Sequence, residues 1–539
     1  MLVAPTSTRE LNSLPSRDHS LLGGMVFGID GHVIELQARA MEVQRKPVPW
    51  RYSTSITGMA TGATRESLAR IAGAFSKYNI PDPQVDILVN LAPADLEKGG
   101  AWLDLPIAII ILQAAGMLPD LPEDNESNYI LMGELGLHGE MRRVPGALSI
   151  AYNANPGQKL IVPKGNEKEC ALILAKPGHE GCGVFPAPDL KTVIRFFAGK
   201  TTIPNALQEP IKFENAIPKS VDFGKIKGQK LAKRAATISA AGGHNLLLFG
   251  PPGEGKSMIA KAMPGILPRL SDHEKVELTR IYSACGELSN DGMAVTRRPM
   301  RAAHHSASKA SIIGGGSGVP KPGEITLAHL GVLFLDEIAE FPKSTLDSLR
   351  QPIEDGEISI TRVNASLKFP TQFTLVAAMN PCPCGYFGSP KCKCTDRVVK
   401  SYQKKISGPL LDRIDLQIEI KPLTLEEKFS ASAETESPRL RAQVESAREI
   451  QRKRFAGQGI FCNATIPGGA VSEYVDFSTY GLDLFKGIAE DGELSTRSVD
   501  RLAKVARTIA DLAQSPKTEG DHVEEAAKYV VGGLLRDSF

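Results

Sequence analysis

Residues Gly250-Pro251-Pro252-Gly253-Glu254-Gly255-Lys256-Ser257 spell G-x-x-x-x-G-K-S. That spacing makes an anion cradle. Gly250, Gly253 and Gly255 let the backbone pass close to a phosphate and aim its N–H groups inward. The Lys256 ammonium would reach the β- and γ-phosphates, and the Ser257 hydroxyl would hold Mg²⁺, so ATP with Mg²⁺ is the expected ligand. Downstream, the apolar run Gly331 to Leu335 ends in Asp336-Glu337. Asp336 would bind the same Mg²⁺ through its water shell. Glu337 would polarise the attacking water as general base. A further apolar run, Thr374 to Met379, ends in Asn380, which fits a residue that orients the lytic water near the γ-phosphate. An asparagine that merely caps a turn is the plainer alternative.

A different chemistry is written into Cys382, Cys384, Cys392 and Cys394, spaced C-x-C-x₇-C-x-C with glycine and proline between. Four thiols so close suit a tetrahedral Zn²⁺ knuckle, although the spacing is tighter than paired C-x₂-C. Four reduced thiols on a loop are the alternative. Lys391, Lys393, Arg397, Lys400, Lys404 and Lys405 make this neighbourhood the most basic in the chain. A solvated face would account for that as well.

These groups need elements to hold them. Leu246 to Phe249 reads as a buried strand, and a helix beginning at Ser257 turns its positive end toward the cradle. Runs ending in Asp336-Glu337 and Asn380 read as buried parallel strands delivering polar groups at their C-terminal edge. Gly356 to Pro370 reads as a hairpin, with Arg362 and Lys368 flanking its tip as candidate phosphate contacts. His304-His305 resembles a metal pair. Adjacent residues on a strand point to opposite faces, which favours a loop-ordering role instead. The first third alternates strand and helix: strands near Met25–Ile29, His32–Leu36, Ile87–Leu91, Ile130–Leu135 and Lys159–Pro163, and helices near Thr64–Ser76 and after Asp104. The last hundred residues read as helices at Arg439–Phe455, Leu494–Ala513 and Val523–Leu535, the second capped by Ser495.

The chain has 539 residues, 42% hydrophobic and 23% charged, with a net charge of +2. Such a balance excludes a globally basic nucleic-acid binder, so any grip on phosphates must be local. No apolar run approaches the ~20 residues of a membrane helix. Met1 to Ser20 lacks the apolar core of a secretory signal, so a cytoplasmic protein without a membrane partner is expected.

The segments N-L-A-P-A-D-L (90–96), D-L-P-I-A (104–108) and G-E-L-x-L-x-G (133–139) resemble the Lon-protease-like domain that opens the YifB/ComM family of magnesium-chelatase-like AAA+ ATPases. Active Lon-type proteases carry a nucleophilic serine where this chain has Ala101 or Trp102, which implies a non-catalytic scaffold. Asp222 to Gln229 resembles the box that contacts adenine ahead of the AAA+ P-loop. Ser407 to Asp415 resembles the arginine-finger segment of the magnesium-chelatase and MCM branch, which assigns Arg413 to a neighbour's nucleotide. A salt-bridged arginine is the alternative. Ser495-x-Arg497 resembles sensor 2, where arginine touches the γ-phosphate, with Arg501 as the rival. The resemblance implies a multidomain α/β chain. Its parts are an extension (1–23), a Lon-protease-like α+β domain (24–198), a linker (199–222), an AAA+ core with a parallel sheet and the Cys cluster (223–424), and a helical lid (425–539). It implies a homo-hexameric ATPase that drives DNA branch migration in homologous recombination and natural transformation. DNA, single-stranded or branched, and recombination proteins would be its partners. An ATPase remodelling a protein partner, as in tetrapyrrole metal chelation, is the rival class, and an ATP-dependent protease a third.

Overall fold

The computed structural model describes residues 18–42, 49–58, 62–83, 85–94, 96, 98–119, 128–208, 220–288, 294–316, 320–362, 365–429 and 435–531. The chain divides into two compact units. One comprises residues up to 214 together with 272–295, and the other 215–271 with 296 onward.

The first unit is built on a seven-stranded mixed sheet. Its spatial order is Thr54–Thr57, Val85–Ala92, Asp30–Glu42, His19–Phe27, Tyr129–Leu131, Lys159–Pro163, Gly183–Ala187. His19–Phe27 and Asp30–Glu42 form a hairpin closed by Gly28-Ile29. The expected extension 1–23 therefore ends earlier than the sequence suggests, because residues 19–23 already pair in this hairpin. Helix Asp104–Ala114 is apolar all round and buried throughout, as such a helix must be. Its one charge, Asp104, accepts from Arg70 Nε at 2.7 Å and Nη2 at 2.9 Å. The expected strand Ile130–Leu135 is two pieces, because Glu134–Leu135 leaves the sheet to pair with Met141–Arg142.

The segment 272–295, expected within the 223–424 core, packs in this first unit instead. Its helix, Asp272–Ala284, buries Val276 among Ile173, Leu174 and Val184. Its Ser283 hydroxyl donates to Glu169, a fully buried carboxylate that Asn166 also serves. Burial pushes the Glu169 carboxyl up despite these bonds.

The second unit carries a five-stranded sheet in the order Met300–Ala303, Val332–Leu335, Thr374–Met379, Leu246–Phe249, Leu416–Glu419. All four pairings are parallel. Val332–Leu335 and Leu246–Phe249 are buried at every position, as expected for strands covered on both faces. The C-terminal helices run Ser437–Arg454, Thr496–Leu512 and Gly520–Val530. A further helix, Thr479–Asp491, leaves a weak pattern in the sequence, because Gly481 and Gly487 interrupt it and Tyr480 is exposed. Of the expected linkers, 209–219 and 430–434 lie outside the described residues, as do 532–535 of the last expected helix. Among the described residues no helix is long and apolar enough to cross a membrane.

The helical region closes on a buried ionic cluster. Asp511 accepts from Arg454 at 2.5 and 3.0 Å, from Arg507 Nε at 3.1 Å and from Asn463 Nδ2 at 2.8 Å. Removing one member of a buried ion set leaves uncompensated charge. Asp511→Ala should therefore cost ~3–5 kcal/mol, seen as a lower urea midpoint for loss of helical signal. A midpoint equal to the parent's would show that the cluster carries no stability.

Candidate functional site

Parallel pairing sends the C-terminal end of every strand in the second unit to one edge. Phe249 stands opposite Met379, Leu335 opposite Ala377, and Ala303 opposite Leu335. The segments immediately after these strands are Gly250–Ser257, Asp336-Glu337, Asn380 and His304-His305, so all four gather at that edge. At Gly250 φ is +155°, and any side chain would run into the Ile420 carbonyl, so only glycine allows the chain through.

Lys256 is 8% exposed, and its ammonium donates to the Gly250 and Pro251 carbonyls, each at 2.7 Å, and to Asn380 Oδ1 at 3.1 Å. Burial holds its pKa below the usual lysine range, while Asp336, Glu254 and Glu337 pull the other way. The Ser257 hydroxyl donates to Asp336 Oδ2 at 2.8 Å. A hydroxyl beside a carboxylate is the donor pair that a hard cation such as Mg²⁺ takes, and it leaves room for bound water. Glu337 sits at φ +50°, a left-handed conformation rare for glutamate and frequent where a side chain must be aimed. The structure thus brings Lys256, Ser257, Asp336 and Asn380 into direct contact, with Glu337 adjoining.

His305 belongs to this group, which sequence reasoning missed. Its Nδ1 lies 4.0 Å from Glu337 Oε2. The expectation that the two histidines face opposite ways fails, because their rings stack with centroids 4.1 Å apart. They come after the last strand residue, Ala303, so strand alternation does not govern them. The segment 222–229 also joins the site: Gln229 Nε2 donates to the Lys421 carbonyl at 2.9 Å and approaches that of Glu254 at 3.4 Å.

Arg413 and Arg497 are elsewhere. Arg413 ends the approach to the Leu416–Glu419 strand, and its carbonyl accepts from Asn245 Nδ2 at 2.7 Å, just before the Leu246–Phe249 strand begins. Both guanidinium groups bond one carboxylate: Arg413 Nη2 to Glu354 Oε2, and Arg497 Nη2 to Glu354 Oε1 at 3.3 Å. Arg413 thus leaves the chain at the N-terminal edge of the sheet, opposite the edge that carries the phosphate loop, and Arg497 meets it at Glu354. Within one chain the structure does not bring either arginine to Lys256. Arg501, the rival, is buried and donates to the Leu411 and Ile414 carbonyls, which suits a positioning role.

The four thiols converge. Sulfur separations are 3.3 Å (Cys382–Cys384), 3.7 Å (Cys384–Cys392) and 3.9 Å (Cys382–Cys392), and all four ligand atoms lie within 4.8 Å of one another. A disulfide would need about 2.05 Å. A tetrahedral ion with metal–sulfur bonds of ~2.3 Å places its sulfurs about 3.8 Å apart, so this donor set fits a thiophilic metal. Amide N–H groups of Lys393 and Tyr386 pull the Cys384 thiol down to about 6, while burial and the neighbouring thiols push Cys392 up and Cys394 up to about 11, so the thiols share their protons unevenly.

The hairpin is present as Glu357–Arg362 paired with Ala365–Pro370. Lys368 does not flank its tip: it pairs with Ser359, toward the base, and its ammonium bonds Glu357 at 2.9 Å. Arg362 pairs with Ala365 beside the turn, whose residues 363–364 and whose flanking side chains lie outside the described set.

The family model described as magnesium chelatase, subunit ChlI, matches residues 222–428. Models for subunit ChlI of Mg-chelatase and for the ChlI C-terminal region match 43–166 and 434–530. The uncharacterized protein YifB of Escherichia coli is 40% identical over 480 residues, covering 88% of this chain and 91% of the relative. Competence protein ComM of Haemophilus influenzae is 38% identical over 486 residues, with the same two shares of 88% and 91%. The magnesium-chelatase 38 kDa subunit of Cereibacter sphaeroides is 27% identical over 181 residues, 30% of this chain and 53% of the relative.

Two substitutions separate binding from hydrolysis at the loop edge. Lys256→Ala should abolish binding of a fluorescent ATP analogue. Glu337→Gln should retain binding and release phosphate at least ~10²-fold more slowly, since only the base is removed. Normal turnover by the glutamine variant would take the base role from Glu337.

Proposed function

The chain belongs to the YifB/ComM family of magnesium-chelatase-like AAA+ proteins, and from that premise we propose that it is an ATP-hydrolysing ring motor acting on DNA, a branch-migration helicase in recombination and natural transformation. The observation that carries the motor reading is the separation of Lys256, Asp336, Glu337 and Asn380 on one sheet edge from Arg413 and Arg497 on the other. Two guanidiniums already gathered on one carboxylate make an anion site, and a neighbouring subunit's γ-phosphate is the anion it would take. Closed head-to-tail repetition of that contact makes a ring, and a homo-hexamer is the expected size. In this reading ATP and Mg²⁺ occupy the loop edge, and the four thiols hold Zn²⁺.

The DNA part draws support from the competence protein among the relatives and from the hairpin that precedes the Asn380 strand, where Arg362 beside the turn is the candidate backbone contact. The second reading, an ATPase that remodels a protein partner, draws support from the magnesium-chelatase subunit among the relatives. Proteolysis has no support at the loop 99–102, where the Trp102 indole donates to the Pro145 carbonyl at 2.7 Å and no hydroxyl or thiol replaces it.

Mixing Arg413→Ala with Lys256→Ala protein should restore part of the ATPase activity each lacks alone, because some interfaces then pair an intact loop with an intact finger. Absence of recovery in mixed rings shown to form would remove the finger from Arg413. Branched DNA should raise the ATPase rate of the parent and lower its dependence on protein concentration. An ATPase indifferent to single-stranded, duplex and branched DNA would favour the protein-remodelling reading.

A further inference from the structure

The cysteine knuckle lies directly against the ATP site. Cys382 is two residues beyond Asn380, whose side-chain oxygen accepts from the Lys256 ammonium. Pro381 stands between them with its fixed φ, and its carbonyl accepts from the buried Gln403 side chain at 3.1 Å. Gly385, just past the first pair of thiols, has φ +84°. A Cβ there would stand 2.7 Å from Pro252 Cδ and 3.1 Å from its Cγ, so the knuckle backbone presses on the outer wall of the phosphate loop. The knuckle thus meets the ATP site at two points, Asn380 with Lys256 and Gly385 with Pro252.

Apart from the buried Cys382 and the Gln403 bond to Pro381, the segment is held by local contacts. Between Met379 and Asp396 the chain forms neither helix nor strand. Its backbone bonds are short-range turns, such as Gly385 N to Cys382 O and Cys392 N to Ser389 O, both at 2.9 Å. Tyr386 and Phe387 are exposed rather than packed into a core. A segment of this kind takes its shape from a bound metal, whose binding energy stands in for a core.

The geometry points to a latch: a thiophilic divalent metal on Cys382, Cys384, Cys392 and Cys394 keeps Asn380 and Pro252 in the arrangement that binds ATP, so nucleotide affinity depends on metal occupancy. This rests on reading the thiols as a metal site. Without the metal the segment samples other shapes, Asn380 and Pro252 lose their support, and the loop is binding-competent only part of the time. If that fraction falls to a tenth, the apparent Kd for ATP rises about tenfold.

The test uses the full chain and three measurements: elemental analysis, titration with a fluorescent ATP analogue, and the melting midpoint. The parent should carry one zinc per chain. Cys392→Ser with Cys394→Ser should lose the metal and bind the analogue about tenfold more weakly. Stripping the parent with a thiophilic chelator should do the same, and adding zinc back should reverse it. Gly385→Ala alters no ligand. It should keep its zinc yet weaken the analogue, because its methyl group pushes Pro252; this variant carries the test if the double-serine protein fails to fold. Metal loss from a folded chain with unchanged analogue affinity would overturn the latch and leave the metal site standing. So would a Gly385→Ala protein that binds the analogue like the parent. A parent with no metal would overturn the metal reading itself.

Discussion

Parallel pairing of the Leu246–Phe249 strand with both of its neighbours decides where all the chemistry can be. Parallel strands share one direction, so the segments leaving them emerge on one edge and the segments entering them lie on the other. Asn245 shows how tightly the entry edge is tied. Its side-chain oxygen accepts from Leu375 N at 2.8 Å, its side-chain nitrogen donates to the Arg413 carbonyl, and its own carbonyl accepts from Leu416 N at 3.0 Å. One residue thus knits the starts of three strands and fixes Arg413 away from Lys256. In the proposed reading, arginines built on the edge opposite the phosphate loop would serve the loop of a second copy.

The helical region is registered on that same edge by buried polar contacts rather than by apolar packing alone. His244 Nε2 lies 2.8 Å from Thr508 Oγ1, and Thr508 also accepts from Asn463 Nδ2 at 3.0 Å. Arg501 reaches the carbonyls on either side of Arg413. Contacts of this kind specify one docking position, since a shifted helix would strand buried donors and charges. Arg497, one turn before Arg501 on the same helix, therefore keeps company with Arg413.

The sequence made the loop edge legible because each of its parts is local: a spacing of glycines before Lys256, and apolar runs ending in Asp336-Glu337 and Asn380. The features that stayed hidden depend on contacts distant along the chain. Glu354 gives no sign in its neighbourhood that it will gather Arg413 and Arg497. His305 comes after a strand of only four residues, Met300–Ala303, too short to announce itself. Nearness in sequence puts Lys368 by the hairpin tip, but register sets it beside Ser359 near the base. The helix Asp272–Ala284 has an ordinary amphipathic pattern, and nothing in that pattern says which core will accept Val276.

In the loop 99–102 the structure gives Trp102 a packing role that residue type alone leaves open. Trp102 packs against both apolar clusters of the first unit while its indole N–H is satisfied by Pro145. A tryptophan with its ring packed and its one donor bonded contributes area and position, and has no lone pair to offer a carbonyl carbon. Two residues on, Asp104 is spent on Arg70 and on the Leu135 amide at 3.1 Å, so it is not free to orient a base. A serine at 102 would remove the ring that both clusters pack against.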